Sequence, residues 1–66
     1  MDRTMYLIRL HTIFGGVTWL TRDFLFIEWG ERDRAKVFRS KAAALSAIVR
    51  LRPHLNIAGN ISAEPF

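Results

Sequence analysis

The chain contains no cysteine, and this absence removes two ways of stabilising a protein of 66 residues. Neither a disulfide nor a zinc site with thiolate ligands can form. A domain of about 60 residues buries only about 60% of the surface that its unfolded chain exposes. Stability must therefore come from good packing or from self-association.

Long apolar runs are missing as well. The longest uncharged stretch, Leu10–Thr21, has 12 residues, whereas a membrane-spanning helix needs about 20. The N-terminus lacks the basic segment and unbroken apolar core of a secretory signal. Half of the residues are apolar, which is too many for a disordered chain. We expect one soluble, cytoplasmic domain over residues 1–66 with no membrane partner, and loose ends at 1–4 and 58–66.

The side-chain sets that carry catalysis or bind metals are also absent. Ser40 is explained by helix capping and Ser46 by an exposed helix face, and no histidine stands at a recognisable spacing from a serine. His11 and His54 are far apart and have no cysteine beside them, so they make no metal-ligand set. We therefore expect no enzyme, no catalytic residue, no metal and no cofactor.

The acidic side chains and the glycines do not change this expectation. Glu28, Glu31 and Asp33 alternate with arginines and are typical of solvated ion pairs, which contribute about 0–1 kcal/mol each. Gly15-Gly16 joins two predicted strands, and no helix N-terminus follows it to hold a phosphate.

Apolar alternation and turn residues predict an α+β fold. Strands are predicted over Met5–Phe14, Val17–Thr21 and Phe24–Trp29, with Gly15-Gly16 as a two-residue hairpin turn. A helix over Lys41–Arg52 is predicted by its Ala/Leu content, with Ser40 as its N-cap and Pro53 after it. The architecture is a three-stranded antiparallel sheet with one helix packed on one face. A fourth strand from Ile57–Phe66 is an option.

The predicted turn also assigns the two faces of the sheet. If the turn has two residues, Phe14 faces Val17 and Thr12 faces Trp19. One face then carries Tyr6, Ile8, Leu10, Phe14, Val17, Trp19, Phe24 and Phe26. The other carries Leu7, Ile13, Leu20, Leu25, Ile27 and Trp29, with Arg9, His11 and Arg22. The apolar stripe of the helix is predicted to be Ala44, Leu45, Ile48, Val49 and Leu51. One helix covers one face, so the second face is expected to bind a partner or a second copy. Two other interpretations of the apolar residues on this second face stay open. Either the true register differs by one residue, or the C-terminal tail folds over this face.

A basic segment is the strongest electrostatic signal. Residues 32–52 hold one acid and seven basic side chains: Arg32, Arg34, Lys36, Arg39, Lys41, Arg50 and Arg52. Their sum is +6, and the other residues of this +4 chain sum to −2. Arginine suits bidentate contacts to phosphate or carboxylate. Nucleic acid and an acidic protein surface are equally good electrostatic targets, and a face that only keeps the chain soluble is a third interpretation.

The segment from Ala35 to Ala44 resembles a pattern of small phage and prophage proteins. In that pattern, strands with a tryptophan precede Ala-x-x-Phe-x-Ser-x-x-x-Ala and one helix; Trp29 and Leu51-Arg52-Pro53 occupy the corresponding positions. The resemblance covers residues 5–53 and implies an accessory protein of a mobile element, such as an anti-CRISPR inhibitor. Many such inhibitors are acidic mimics of DNA, whereas this chain is basic.

The first hypothesis is therefore a non-enzymatic binding module, a phage-type inhibitor that sterically blocks a host defence protein or ribonucleoprotein complex. Its predicted partner-binding residues are Arg9, Arg22, Trp29, Arg32, Arg34, Lys36, Arg39 and Lys41. The first alternative is a small DNA- or RNA-binding protein that uses the same basic segment. The second alternative is a structural homodimer.

Overall fold

A computed structural model describes residues 4–54 and 59–66 of the chain. It has an α+β fold: one helix and a four-stranded antiparallel sheet with the strand order β3-β2-β1-β4. The strands are β1 (Tyr6–Thr12), β2 (Val17–Arg22), β3 (Glu28–Gly30) and β4 (Gly59–Pro65), and the helix is α1 (Lys41–Leu51). Two 3-10 turns cover Arg32–Arg34 and Arg52–His54. The predicted fold class is confirmed.

The hairpin between β1 and β2 differs from the predicted two-residue turn. The Gly15 N–H donates to the Thr12 carbonyl at 3.0 Å, and the Thr12 N–H donates to the Gly16 carbonyl at 2.9 Å. Residues 13–15 thus form a three-residue loop, and Gly15 takes the positive φ of 86° that such a loop requires.

The longer loop changes which side chains share a face. Arg9 pairs with Trp19 and Leu10 with Thr18, a register three positions away from the predicted one. A shift by an odd number of residues exchanges the faces of a strand. The predicted face assignment of β2 was therefore wrong: Leu20, and not Trp19, shares the face of Ile8, and this is the face that the helix covers.

The predicted third strand, Phe24–Trp29, was mostly wrong. Only Glu28–Gly30 is a strand, and it pairs with β2 across an irregularity between Leu20 and Arg22. The chain must reverse after β2 without a glycine, and Leu25 adopts a φ of 72° to make the reversal. This left-handed conformation is incompatible with an extended strand through the apolar run from Phe24 to Ile27.

A short segment before α1 ties the two central strands together. The Lys36 N–H donates to the Leu20 carbonyl at 2.8 Å, and Phe38 exchanges backbone hydrogen bonds of 2.8 and 2.9 Å with Tyr6. The segment therefore lies between the ends of β1 and β2. Phe38 is buried in the core that α1 covers.

The helix begins as predicted, but it is rotated relative to the predicted stripe. The Ser40 hydroxyl accepts a hydrogen bond from the Ala43 N–H at 3.1 Å, which confirms the N-cap. The buried residues are Ala44, Ala47, Ile48 and Leu51, at the i, i+3, i+4, i+7 spacing of one helix face. Leu45 and Val49 are 46% and 69% exposed, so their predicted burial was wrong. Ala47 packs against the core in their place.

The optional fourth strand forms over Gly59–Pro65, within the range Ile57–Phe66 considered for it. β4 pairs with β1 from Tyr6↔Pro65 to Thr12↔Gly59. The prediction of a loose end over 58–66 was therefore wrong for residues 59–65, because backbone pairing with β1 holds them. Positions 57 and 58 of the predicted strand lie outside the described residues.

Candidate binding surfaces

The sheet face opposite α1, named here the open face, carries part of the predicted site. Arg9 and Trp19 lie opposite each other on it, in neighbouring strands. Trp29 does not lie there, which corrects its predicted placement. It pairs with Leu20 and packs against the core under α1, because the hairpin register turned that side of β2 toward the helix.

Arg32, in the first 3-10 turn, closes the centre of the open face. Its guanidinium carbon is 5.5 Å from the centroid of the Trp19 ring and 5.6 Å from that of the Phe66 ring. Trp19 belongs to β2 and Phe66 follows β4, with β1 between them. Neighbouring strands are about 4.8 Å apart, so the guanidinium lies above β1. Leu7 of β1 lies on this face and is fully buried.

Arg9 is held within the same face by β4. Its Nη2 is 3.2 Å from Glu64 Oε1, and the Ser62 hydroxyl donates to the same oxygen at 3.1 Å. Both partners of this ion pair are about one-third exposed. The charge of Arg9 is therefore already compensated, which leaves it little capacity to attract an anion.

Three further basic side chains surround the connection between β2 and β3. Lys36 pairs with Asp23 Oδ1, and its Nζ is 5.4 Å from the Phe38 ring centroid. Arg50 Nη2 is 4.0 Å from Asp23 Oδ2. The Arg22 guanidinium carbon is 4.9 Å from the centroid of the Phe26 ring. Two of these residues, Arg22 and Lys36, were predicted to bind a partner, and their contacts lie at the connection between β2 and β3.

The remaining cations of the basic segment are exposed, at Arg34, Arg39, Lys41 and Arg52. Over residues 4–54 and 59–66, none of the four makes an ion pair or a ring contact. Lys41 and Arg52 stand at opposite ends of α1, about 16 Å apart at 1.5 Å per residue. The basic segment therefore does not form one continuous patch.

Sequence patterns did not reveal an exposed apolar loop between β2 and β3. Phe24, Leu25 and Phe26, named here the aromatic loop, are 72%, 81% and 50% exposed. Their apolar and aromatic character predicted a strand over Phe24–Trp29, with large side chains on both faces of the sheet. The left-handed Leu25 instead turns consecutive large side chains outward, at a cost of about 1–2 kcal/mol for an L-residue. No sequence signal marks such a conformation at a leucine.

A cleft of about 360 Å³ separates this loop from α1. Its lining combines both elements: Asp23, Leu25, Phe26, Ile27, Ala47, Arg50 and Leu51. The surface is thus an apolar loop beside a shallow cleft, with the guanidinium groups of Arg22 and Arg50 at its margin.

Metal-ligand clusters, membrane-spanning helices and similarity to known proteins add no functional assignment. Within the described part of the chain, no three His, Cys, Asp or Glu side chains are grouped to hold a metal ion. No described helix has the length and apolarity needed to cross a membrane. Comparison with known proteins found no matching family, no matching curated protein and no matching solved structure.

Proposed function

We propose that the protein is a non-enzymatic binding module that recognises another protein through the aromatic loop. The observation that carries this proposal is the exposure of three consecutive large apolar side chains, held outward by a left-handed Leu25. Unfavourable backbone conformations persist where surrounding contacts enforce them, and they cluster at functional sites. A contiguous exposed apolar patch is typical of a protein interface.

The margin of the aromatic loop fits a protein partner. Aromatic and arginine side chains are enriched among the residues that dominate binding energy at protein interfaces. Arg22 lies against Phe26, and Arg50 is 71% exposed beside the cleft. A partner with an apolar protrusion and carboxylates around it would suit both the cleft and the guanidinium groups. Binding there would block the partner sterically.

Nucleic-acid binding is supported less well by the same contacts. Trp19 is half-buried and has Arg32 over its ring, so it offers no open platform for a base. The exposed cations Arg34, Arg39, Lys41 and Arg52 are spread over both ends of α1. Inhibition of a host defence complex rests on the resemblance alone and stays a prediction.

The test compares two pairs of exposed apolar residues at different ends of the molecule. The loop variant is Phe24→Ser with Leu25→Ser, and the control is Ile13→Ser with Phe14→Ser in the hairpin loop. Each protein is immobilised, exposed to host-cell extract and analysed by quantitative mass spectrometry. We expect the loop variant to lose a partner that the wild type and the hairpin variant both retain.

Two results would contradict the proposal. One is a partner retained equally by both variants, which would place the contact elsewhere. The other is tight binding to labelled DNA or RNA that weakens steeply between about 50 and about 200 mM salt, the signature of phosphate contacts. Circular dichroism of all variants ensures that lost capture does not reflect unfolding.

A further inference from the structure

The outer edge of β4 presents backbone groups that the described residues leave unpaired. The Phe66 N–H donates to the Met5 carbonyl at 2.8 Å, so backbone groups at every second residue before it point toward β1. Ile61 and Ala63 occupy the alternate positions. Their N–H and C=O groups lie in the plane of the sheet and point away from β1, toward the outer edge. Among residues 4–54 and 59–66, no strand pairs with this edge.

This edge lacks most of the features that prevent strands from pairing with other chains. Proteins protect edges with short strands, bulges, charged side chains or proline. β4 has seven residues, pairs with β1 without a bulge, and carries one charged side chain, Glu64, which Arg9 holds on the open face. Pro65 lies at an outward-pointing position and limits the pairing only at the end of the strand.

An exposed apolar strip of α1 lies on the same side of the molecule. The contact between Arg50 and Asp23 turns one side of α1 toward the β2–β3 connection. At 100° per residue, Leu45 lies about 140° from Arg50 around the helix, on the side of β4, which contacts α1. Val49 lies about 40° beyond Leu45, on the outward side of the helix. They are 46% and 69% exposed. We name these two residues the helix flank.

We propose that β4 pairs antiparallel with β4 of a second copy of the chain. A two-fold axis near Ser62 sets Ile61 opposite Ala63 of the second copy, so that each N–H meets a carbonyl. Ile61 and Ala63 both face the α1 side, so the two helices come to lie on the same side of one continuous sheet. The two helix flanks then approach each other across the axis.

A second copy fits this surface because an antiparallel edge complements itself under two-fold symmetry. Strand pairing alone buries little apolar surface, and contact between the two helix flanks buries more. A small chain without disulfides gains stability from such an association. This interface does not overlap with the aromatic loop of the proposed function. β3 and β4 are at opposite edges of the sheet, so the aromatic loop stays accessible in the dimer.

Charge makes a distinctive prediction for this dimer. Each copy carries a net charge of +4, and Lys41 and Arg52 stand at the two ends of the helix flank. The copies therefore repel each other, and salt screens that repulsion. Self-association through β4 should tighten as salt is added, whereas binding to nucleic acid weakens.

The experiment is sedimentation equilibrium of the full chain from micromolar to submillimolar concentration. We expect the wild type to show a monomer–dimer equilibrium. Val49→Lys should raise the dimer dissociation constant by about tenfold or more, which corresponds to about 1.4 kcal/mol. Val17→Lys, with the same charge change at the distant hairpin, should leave it within about twofold of the wild type after the added charge is screened.

A backbone readout tests the strand pairing itself. Amide hydrogen exchange at Ile61 and Ala63 should slow as concentration rises, whereas exchange at Ser62 and Glu64, which pair with β1, should not change with concentration. Ala63→Pro removes one outward N–H and should also favour the monomer. A chain that stays monomeric at submillimolar concentration overturns the proposal. So does a dimer that tolerates both Val49→Lys and Ala63→Pro.

Discussion

The two faces of the sheet bury apolar side chains in different ways. On the covered face, Ile8 and Leu20 meet Phe38 and the buried side of α1, and every partner is apolar. On the open face, Leu7 is equally buried, and the guanidinium of Arg32 lies above its strand between the rings of Trp19 and Phe66. A helix backed by hydrogen bonds seals one face, and one flexible side chain closes the other. We expect truncation of a buried side chain to reduce the free energy of unfolding less on the open face than on the covered face.

The largest effect is expected from Leu20→Ala on the covered face. Truncating a fully buried leucine leaves a cavity that a packed helix and sheet cannot collapse, and costs about 2–5 kcal/mol. A domain of this size has little stability to spare, so the variant should be partly unfolded at 25 °C. Urea unfolding followed by circular dichroism measures the loss. The control is Leu45→Ala on the exposed helix flank, measured at low concentration, which should cost less than about 1 kcal/mol.

The same truncation on the open face, Leu7→Ala, sharpens the comparison. Leu7 and Leu20 are both 0% exposed, so any difference reflects how their surroundings respond. Arg32 and Phe66 can settle into the space that Leu7 leaves, because neither belongs to a helix or strand packed from both sides. We expect a loss near the low end of the range, about 2 kcal/mol. A loss as large as that of Leu20→Ala would show that the open face is as rigid as the covered one.

The assignment of these faces was where the sequence misled most. Gly15-Gly16 correctly predicts the hairpin, but these residues are compatible with a loop of two residues and with a loop of three. Gly15 takes the left-handed position of the three-residue loop, and Ile13 and Phe14 become exposed loop residues. The resulting register exchanges Trp19 and Leu20, so a single ambiguous turn decides which side chain the helix covers.

Signals that are local in the chain were more reliable. The N-cap at Ser40 and the length of α1 follow from neighbouring residues alone, and both are confirmed. The aromatic loop could not be predicted, because the conformation of Leu25 is enforced by the need to reverse between β2 and β3. Likewise, the roles of Arg32 and Arg9 depend on Phe66 and Glu64, which lie more than thirty residues away along the chain.

Removing the guanidinium that closes the open face should have a moderate effect. Arg32→Ala loses two ring contacts, to Trp19 and Phe66, each contributing about 0.5–1 kcal/mol at an exposed site. We expect a loss of about 1 kcal/mol. In a Trp29→Phe background, Trp19 is the remaining tryptophan, and its quenching by acrylamide should increase. Arg34→Ala, in the same 3-10 turn, is the control and should change neither property. Unchanged quenching in the Arg32 variant would mean that Arg32 does not cover Trp19.

The smallest expected effect is also the one whose sign is most informative. Leu25→Gly removes a left-handed leucine that costs about 1–2 kcal/mol, while the added freedom of glycine in the unfolded chain costs about 0.5–1 kcal/mol. The net result should be a stabilisation of less than about 1 kcal/mol. Leu45→Gly, in the middle of α1, should destabilise by about 1 kcal/mol. If both variants lose stability equally, Leu25 is not held in the left-handed region. The informative outcome is that Leu25→Gly gains stability, Leu45→Gly does not, and the Leu25→Gly variant captures less partner. The chain then maintains an unfavourable conformation in order to present the aromatic loop.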